Sequence, residues 1–178
     1  MDLKEYKQRA LATALANTVC SDKTNIEYPV LGLIGESGEV AEGLKKTLRD
    51  DAGVITDKKR ESLIKEIGDI MWYVNRIAWG VDIELSDCYY KPHTTEASIY
   101  RLARNNHHNI DDILLWLDFL NEPQTKKNLV RIFGNTIETI EQMSLKLNSS
   151  LAEICRVNVE KLEDRQKRGV LHGSGSDR

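Results

Sequence analysis

Two stretches decide the fold of this chain: Gly35-Glu36-Ser37-Gly38-Glu39-Val40-Ala41-Glu42 and, later, Glu66-Ile67-Gly68-Asp69-Ile70-Met71-Trp72-Tyr73. Both lie in segments whose apolar residues recur at helical spacing, without the alternation typical of a strand. Each stretch carries a pair of carboxylates three residues apart, Glu36 and Glu39 in the first and Glu66 and Asp69 in the second. Glu42, the third acid of the first stretch, falls on a different part of the helical wheel. Residues at i and i+3 share one face of a helix. Each helix therefore presents two carboxylates side by side.

The carboxylates of both helices lie at the edge of an apolar stripe instead of opposite it. The stripe contains Leu33 and Val40 in the first helix, and Ile67 and Val74 in the second. A charged face that is merely solvated would lie across the helix from such a stripe. The short loop at 50–56 predicts that the two helices pair antiparallel. We therefore expect an all-α helical bundle in which the four carboxylates converge at one level.

Further helices are expected on both sides of this central pair. Asp2 can cap the first helix, Pro29 suits the first turn of the second, and Ser150-x-x-Glu153 is a capping box for the last. The predicted helices are 3–20, 29–49, 57–80, a helix or turn within 81–90, a helix from Asp111 or Asp112 to Pro123, 125–147 and 151–167. Residues 101–109 are expected to be half helix and half loop, and the Gly/Ser-rich tail 169–178 is expected to be disordered.

The composition of the 178 residues indicates one domain, 1–178, with 40% hydrophobic and 30% charged residues. A formal net charge of -3 argues against a nucleic-acid partner. No apolar run approaches the roughly 20 residues that span a membrane, and charged residues interrupt the N-terminus too early for a signal peptide. Cys20, Cys88 and Cys155 are widely spaced, as in the reduced thiols of a cytoplasmic protein. We therefore predict a cytoplasmic protein that binds neither nucleic acid nor a membrane.

Four converging carboxylates predict a metal site. Like charges held close together raise one another's pKa and destabilise the fold unless a cation neutralises them. The predicted ligands, Glu36, Glu39, Glu66 and Asp69, offer only oxygen, which favours Mg²⁺, with Mn²⁺ as a possible substitute, over zinc. Magnesium held by carboxylates normally binds substrate phosphates as well. The pattern therefore indicates phosphoryl or nucleotidyl chemistry.

The last helix adds groups that suit a phosphorylated substrate. Asn158, Lys161 and Arg165 fall on one face, and such side chains can bind phosphate or sugar oxygens. The same three residues would also fit an ordinary polar helix face, just as Tyr73 would fit the edge of the core. Other candidates are Lys45 and Lys46 for phosphate, Tyr6, Gln8 and Asn17 for the base pocket, and Gly32 and Gly43 as residues that leave room for phosphate.

The two carboxylate motifs, together with Asn158-x-x-Lys161-Leu162-x-x-Arg165, resemble the all-α nucleoside triphosphate pyrophosphohydrolase superfamily, in particular MazG-like proteins. The resemblance implies magnesium-dependent hydrolysis between the α and β phosphates, which yields a nucleoside monophosphate and pyrophosphate. It implies metal binding by the four carboxylates, nucleotide contacts from Tyr73, Asn158, Lys161 and Arg165, and a homodimer or homotetramer. The chain departs from compact family members in one segment, about 90–149, which we interpret as a helical arm inserted before the last helix.

We therefore predict an enzyme that acts on nucleoside or deoxynucleoside triphosphates. Two alternatives stay open. The first is phosphoribosyl-ATP pyrophosphatase, which belongs to the same superfamily. The second is a catalytically inactive helical interaction module that retains only the bundle.

Overall fold

The computed structural model describes residues 1–16, 18–88 and 95–171, and in these residues the chain forms helices and no strands. All-α architecture is therefore confirmed. The helices of the described residues are α1 (Leu3–Ala12), α2 (Glu27–Asp50), α3 (Asp57–Gly80), α4 (Leu85–Cys88), α5 (Ile99–Leu117), α6 (Thr125–Lys146) and α7 (Leu151–Arg168). Among them, none combines the length and the apolar character that a membrane crossing requires.

Side-chain caps explain where several helices begin. The Asp2 carboxylate accepts a hydrogen bond from the Glu5 backbone N–H at 2.8 Å, at the start of α1. The Ser150 hydroxyl accepts one from the Glu153 backbone N–H at 3.2 Å, which confirms the predicted start of α7. These bonds satisfy backbone donors that lack a partner within the helix. At the other end of α7, Gly169 adopts a left-handed φ of 70°, a frequent helix terminator.

The antiparallel pair α2 and α3 forms the centre of the bundle. Leu33 of α2 and Ile67 and Ile70 of α3 are fully buried between the surrounding helices. Helix α7 packs against α3, and α1 packs against α7 and α3. Burial of these apolar side chains, at roughly 1.5–3 kcal/mol each, is what places the edges of α2, α3 and α7 beside one another.

Within segment 90–149, the described residues form a helical hairpin, α5 and α6, that packs onto the central pair. Helix α5 contacts α2, and α6 contacts α3, α4 and α7. Ile113, Ile132 and Phe133 of the hairpin are fully buried. The predicted arm between α4 and α7 is therefore helical in its described part, and its apolar side chains belong to the core of the bundle.

The first helix is shorter than the predicted span 3–20, because it ends at Ala12. The Thr13 hydroxyl donates to the Ala10 carbonyl at 2.7 Å, and the Trp72 indole N–H donates to the same carbonyl at 3.1 Å. Side-chain hydrogen bonds of this kind compete with continuation of a helix. The chain then forms turns up to α2, apart from residue 17, which lies outside the described residues.

Residues 101–109 are also different from the prediction, since they lie within one continuous helix, α5. Ser98 caps this helix through the Arg101 backbone N–H. Leu102, Asn106 and Ile110 then form a single buried stripe along it. Tertiary packing of this face outweighs the modest helix propensity of asparagine and histidine. The expected break at 91–94 and the tail from 172 onward lie outside the described residues.

The interpretation of Gly32 and Gly43 as room for phosphate is wrong. A Cβ atom at Gly32 would lie 2.2 Å from ring atoms of Tyr73, and one at Gly43 would lie 3.1 Å from Leu63. Both glycines instead make room for a side chain of α3. The absence of a side chain at Gly32 is what allows the Tyr73 ring to lie against α2.

Gly32→Ala is expected to lower the free energy of unfolding by about 1–3 kcal/mol, because the added methyl group overlaps the Tyr73 ring. Gly35→Ala, one turn along the same helix, is the matched control: nothing lies within 4 Å of its Cβ position. In that open position alanine should stabilise the helix by about 0.5–1 kcal/mol. Urea unfolding of both variants measures the difference, and equal effects would contradict the packing described here.

Candidate active site

Three of the four predicted carboxylates come together where α2 faces α3. Glu36, Glu66 and Asp69 each offer an oxygen atom, and these three atoms lie within 4.8 Å of one another. Glu66 and Asp69 share one face of α3, and antiparallel packing brings Glu36 of α2 opposite them. All three side chains are half-buried. The hairpin thus concentrates negative charge at one level of the bundle.

Glu39 lies at the rim of this group. Its side chain is exposed, and it is not among the three carboxylates that offer mutually close oxygens. Its charge nevertheless contributes to raising the pKa of Glu36 and of Glu66. The structure therefore places three carboxylates in a tight group and the fourth next to it, on the solvent side.

Helix α7 supplies hydrogen-bond donors to this group. The Lys161 ammonium donates to both oxygens of Asp69, at 2.7 and 2.5 Å, and the Asn158 amide donates to the same carboxylate at 2.8 Å. The Asn158 carbonyl in turn accepts the Tyr6 hydroxyl at 2.9 Å. A Cβ atom at Gly68 would lie 3.0 Å from Asn158, so glycine there permits the close approach of α7. Asn158 and Lys161 thus contact the carboxylate group directly.

Proximity and burial change the acidity of the group. Burial, followed by the charges of Asp69 and Glu66, raises the pKa of Glu36 to about 7, although Lys161 opposes the rise. Burial and the Asp69 charge also raise the pKa of Glu66. The group contains three carboxylates and one ammonium, that of Lys161, so its ionised form carries an excess of negative charge. A group of three oxygen donors with excess negative charge suits a hard divalent cation such as Mg²⁺ or Mn²⁺.

A cavity of about 110 Å³ adjoins Glu36 and Asp69. Tyr28, Trp72 and Tyr73 supply aromatic surface to its wall, with the Tyr73 ring centroid 5.0 Å from Trp72 in an edge-to-face arrangement. The remaining lining residues are Thr13, Ala14, Leu15, Cys20, Leu162, Arg165 and Leu171. The structure therefore brings Tyr73 and Arg165, both predicted substrate contacts, to one cavity beside the carboxylates.

Lys46, also predicted to bind the substrate, lies away from this cavity. At about 1.5 Å per residue it is about 15 Å further along α2 than Glu36. The Glu42 carboxylate pairs with Lys46 at 3.4 Å and with Lys45 as well. Of the predicted base-pocket residues, Tyr6 is buried against Asn158, and Gln8 is exposed. Asn17 lies outside the described residues.

The segment after α1 lines the cavity through Thr13, Ala14, Leu15 and Cys20, none of which was predicted to belong to the site. Arg76 of α3 holds this segment in place: its Nε donates to the Cys20 carbonyl at 2.9 Å and its guanidinium also donates to the Asp22 carbonyl. The guanidinium lies 4.5 Å from the Trp79 ring centroid. Arg76 is fully buried. An arginine set among the apolar residues of α3 is the sequence signal that could have indicated such an anchor.

Glu36→Gln is expected to stabilise the metal-free protein at pH 8. The pKa of Glu36 in the folded protein is raised to about 7. The protonated Glu36 side chain therefore adds to the free energy of unfolding at low pH, and this stabilisation is lost as the pH rises through 7. Removing the charge should therefore raise the free energy of unfolding by about 1–3 kcal/mol at pH 8, and by less toward pH 5. Urea unfolding in EDTA measures this. A gain that is equal at both pH values would contradict the charge repulsion.

Comparisons with known proteins match the part of the chain that contains the three close carboxylates. Residues 25–88 match the family model of the MazG nucleotide pyrophosphohydrolase domain, a range that contains α2, α3 and α4. Gene 37 protein of Mycobacterium phage L5 is 46% identical over 67 residues, which are 38% of this chain and 59% of that protein. The chain thus spans less than two thirds of the length of this relative. No solved structure matches the chain at a significant level.

Proposed function

We propose, from the premise that residues 25–88 form a MazG nucleotide pyrophosphohydrolase domain, that this protein hydrolyses nucleoside or deoxynucleoside triphosphates to the monophosphate and pyrophosphate. One observation carries the proposal: oxygens of Glu36, Glu66 and Asp69 lie within 4.8 Å of one another. The cavity with Tyr73 and Arg165 in its wall adjoins two of these carboxylates. Charge for a cation and a cavity for the nucleotide are thus adjacent.

The residues that would hold Mg²⁺, or Mn²⁺ in its place, are Glu36, Glu66 and Asp69, with Glu39 as a fourth ligand from the rim. When bound, such a cation neutralises phosphate charge and lowers the pKa of a coordinated water. Lys161 contacts Asp69 at 2.5 Å and would place its own positive charge beside the phosphates as well. Asn158 would hold Asp69 in position through its amide.

Water attacks the α phosphorus in this reaction, and the bond from that phosphorus to the bridging oxygen breaks. Pyrophosphate leaves with the bridging oxygen, and the water proton passes to a base. Glu39 is suited to that task if it does not bind the metal, since it is exposed at the rim of the group. Arg165 lies at the cavity and would attract the phosphates, while Tyr73 would contact the sugar or the base.

We further propose that the enzyme is a homodimer or homotetramer in the cytoplasm. Leu31 and Ile34 of α2 are exposed by 67% and 43%, which offers apolar surface to a second copy. Cys20, Cys88 and Cys155 are unpaired and buried, as suits a reducing compartment. Sedimentation equilibrium measures the state of association, and a monomer at all concentrations would contradict this part of the proposal.

Hydrolysis in ¹⁸O-labelled water tests the function. The protein is incubated with Mg²⁺ and each common NTP and dNTP, and the products are separated by ion exchange and analysed by mass spectrometry. Attack at the α phosphorus places the label in the monophosphate. A nucleoside diphosphate with inorganic phosphate, or label in pyrophosphate, would contradict the proposal. Turnover of phosphoribosyl-ATP alone would favour the first alternative, and absence of any Mg²⁺-dependent nucleotide binding would favour the inactive module.

A further inference from the structure

A second and larger cavity lies between α2 and α5. Its volume is about 400 Å³, against about 110 Å³ for the cavity beside the carboxylates. We call it the α2–α5 groove. Its walls are mostly apolar, and the apolar lining residues are Val40, Ala41, Leu44, Leu48, Tyr100 and Ala103. The groove is large enough for a small organic molecule.

One polar group in the groove is buried without a partner. Asn106 of α5 lines the groove and is 2% exposed, and its side-chain Oδ1 atom accepts no hydrogen bond from the part of the chain that the structure describes. That oxygen has almost no solvent-accessible surface, so the Asn106 amide belongs to the packed wall of the groove and is not open to a ligand within it.

The rim of the groove is positively charged. Arg104 of α5 is exposed and forms no ion pair within residues 1–16, 18–88 and 95–171. Lys45 lies on the opposite wall and shares the single carboxylate of Glu42 with Lys46. The local balance is therefore positive, and an anionic group at the rim would meet a guanidinium that no carboxylate of the described residues holds.

We propose that the α2–α5 groove binds a small organic anion with an apolar body. The apolar body lies against Val40, Leu44 and Tyr100, and the anionic group pairs with Arg104. The groove is separate from the candidate active site, because none of the three close carboxylates lines it. Ser37 connects the two: it follows Glu36 in α2 and lies 3.5 Å from His107 of α5 at the groove.

Titration with 1-anilinonaphthalene-8-sulfonate tests this proposal, since the probe joins an apolar ring system to a sulfonate. We expect saturable fluorescence at one probe per chain. Arg104→Gln should weaken binding about fivefold to tenfold. Arg101→Gln, three residues earlier on the same helix and outside the groove, is the matched control and should bind as the wild type does. Ala103→Leu, which fills part of the groove, should also weaken binding.

Competition then distinguishes two sources of the same ligand chemistry. A nucleoside monophosphate and an aromatic carboxylate are each added to the probe complex, and displacement by one identifies the class. Far-UV circular dichroism and urea unfolding show that each variant is folded, because unfolded chains also bind the probe. Equal binding by the Arg104 and Arg101 variants would overturn the proposal. Probe binding that falls as the protein dimerises would also overturn it, since a second copy would then cover the groove.

Discussion

Glu66→Gln should reduce pyrophosphate release by about 10²–10³-fold, the loss typical when a central group of an electrostatic catalytic site is removed. Glu66 is one of three carboxylates whose oxygens lie within 4.8 Å of one another, so its loss removes a third of the close negative charge. Glutamine keeps the size of the side chain and one oxygen acceptor. The variant should therefore fold normally and bind Mg²⁺ more weakly, as measured by isothermal titration.

Glu61→Gln is the matched control for this substitution. Glu61 also lies on α3, but its side chain is exposed and it is outside the carboxylate group. We expect the pyrophosphate release of the Glu61→Gln variant to remain within about twofold of the wild type. If both variants kept full activity, Glu66 would not be a metal ligand. If both lost it equally, the loss would reflect helix charge and not this site.

Lys161→Gln should separate metal binding from catalysis. In the metal-free protein the Lys161 ammonium contacts both oxygens of Asp69, at 2.7 and 2.5 Å. A positive charge at this distance opposes a second cation. The variant should therefore bind Mg²⁺ about threefold to tenfold more tightly without nucleotide. Its kcat/KM for a nucleoside triphosphate should fall about 10–100-fold, because the positive charge that we place beside the phosphates is gone.

Lys167→Gln is the control, since Lys167 is exposed near the end of the same helix. It should leave both the magnesium affinity and kcat/KM unchanged. Isothermal titration and steady-state kinetics supply the two measurements. A Lys161 variant whose affinity for Mg²⁺ and kcat/KM both decrease would show that Lys161 only supports the fold of the site. Restoration of activity by Lys161→Arg would support the role of the charge.

Local sequence signals predicted the central elements well. The start of α7 follows from Ser150, whose side chain caps the helix as expected, and the predicted start of α3 at residue 57 is confirmed. The spacing of Glu66 and Asp69 on one helical face needs no tertiary information. Likewise, a short loop between α2 and α3 predicts antiparallel pairing, which brings the carboxylates of the two helices to similar depths in the bundle. The resemblance to MazG-like proteins, confirmed for residues 25–88, rested on the two carboxylate motifs in that range and on Asn158-x-x-Lys161-Leu162-x-x-Arg165, which lies outside it.

Other features depended on contacts that are distant in sequence. The first helix ends at Ala12, where Trp72 of α3 contacts the last turn. Helix α5 continues through 101–109 because one face is buried on the bundle. Gly32 makes room for the ring of Tyr73. A helical wheel of α2 shows only the faces of α2, so it cannot reveal that a side chain of α3 lies against this glycine. The position of Glu39 at the rim also depends on how closely α2 and α3 approach at that level.

The amino-acid sequence alone determined the all-α class, the central helical hairpin and the faces that carry Glu36, Glu66 and Asp69, because helical periodicity and capping act over a few residues. Only the tertiary structure decided which groups complete the site. In the folded protein Lys161 and Asn158 of α7 contact Asp69, whereas Lys46 lies away from the cavity. Arg76 holds the segment after α1 through the Cys20 carbonyl. Such contacts arise when apolar faces pack in three dimensions, and no local pattern records the partner that each face will meet.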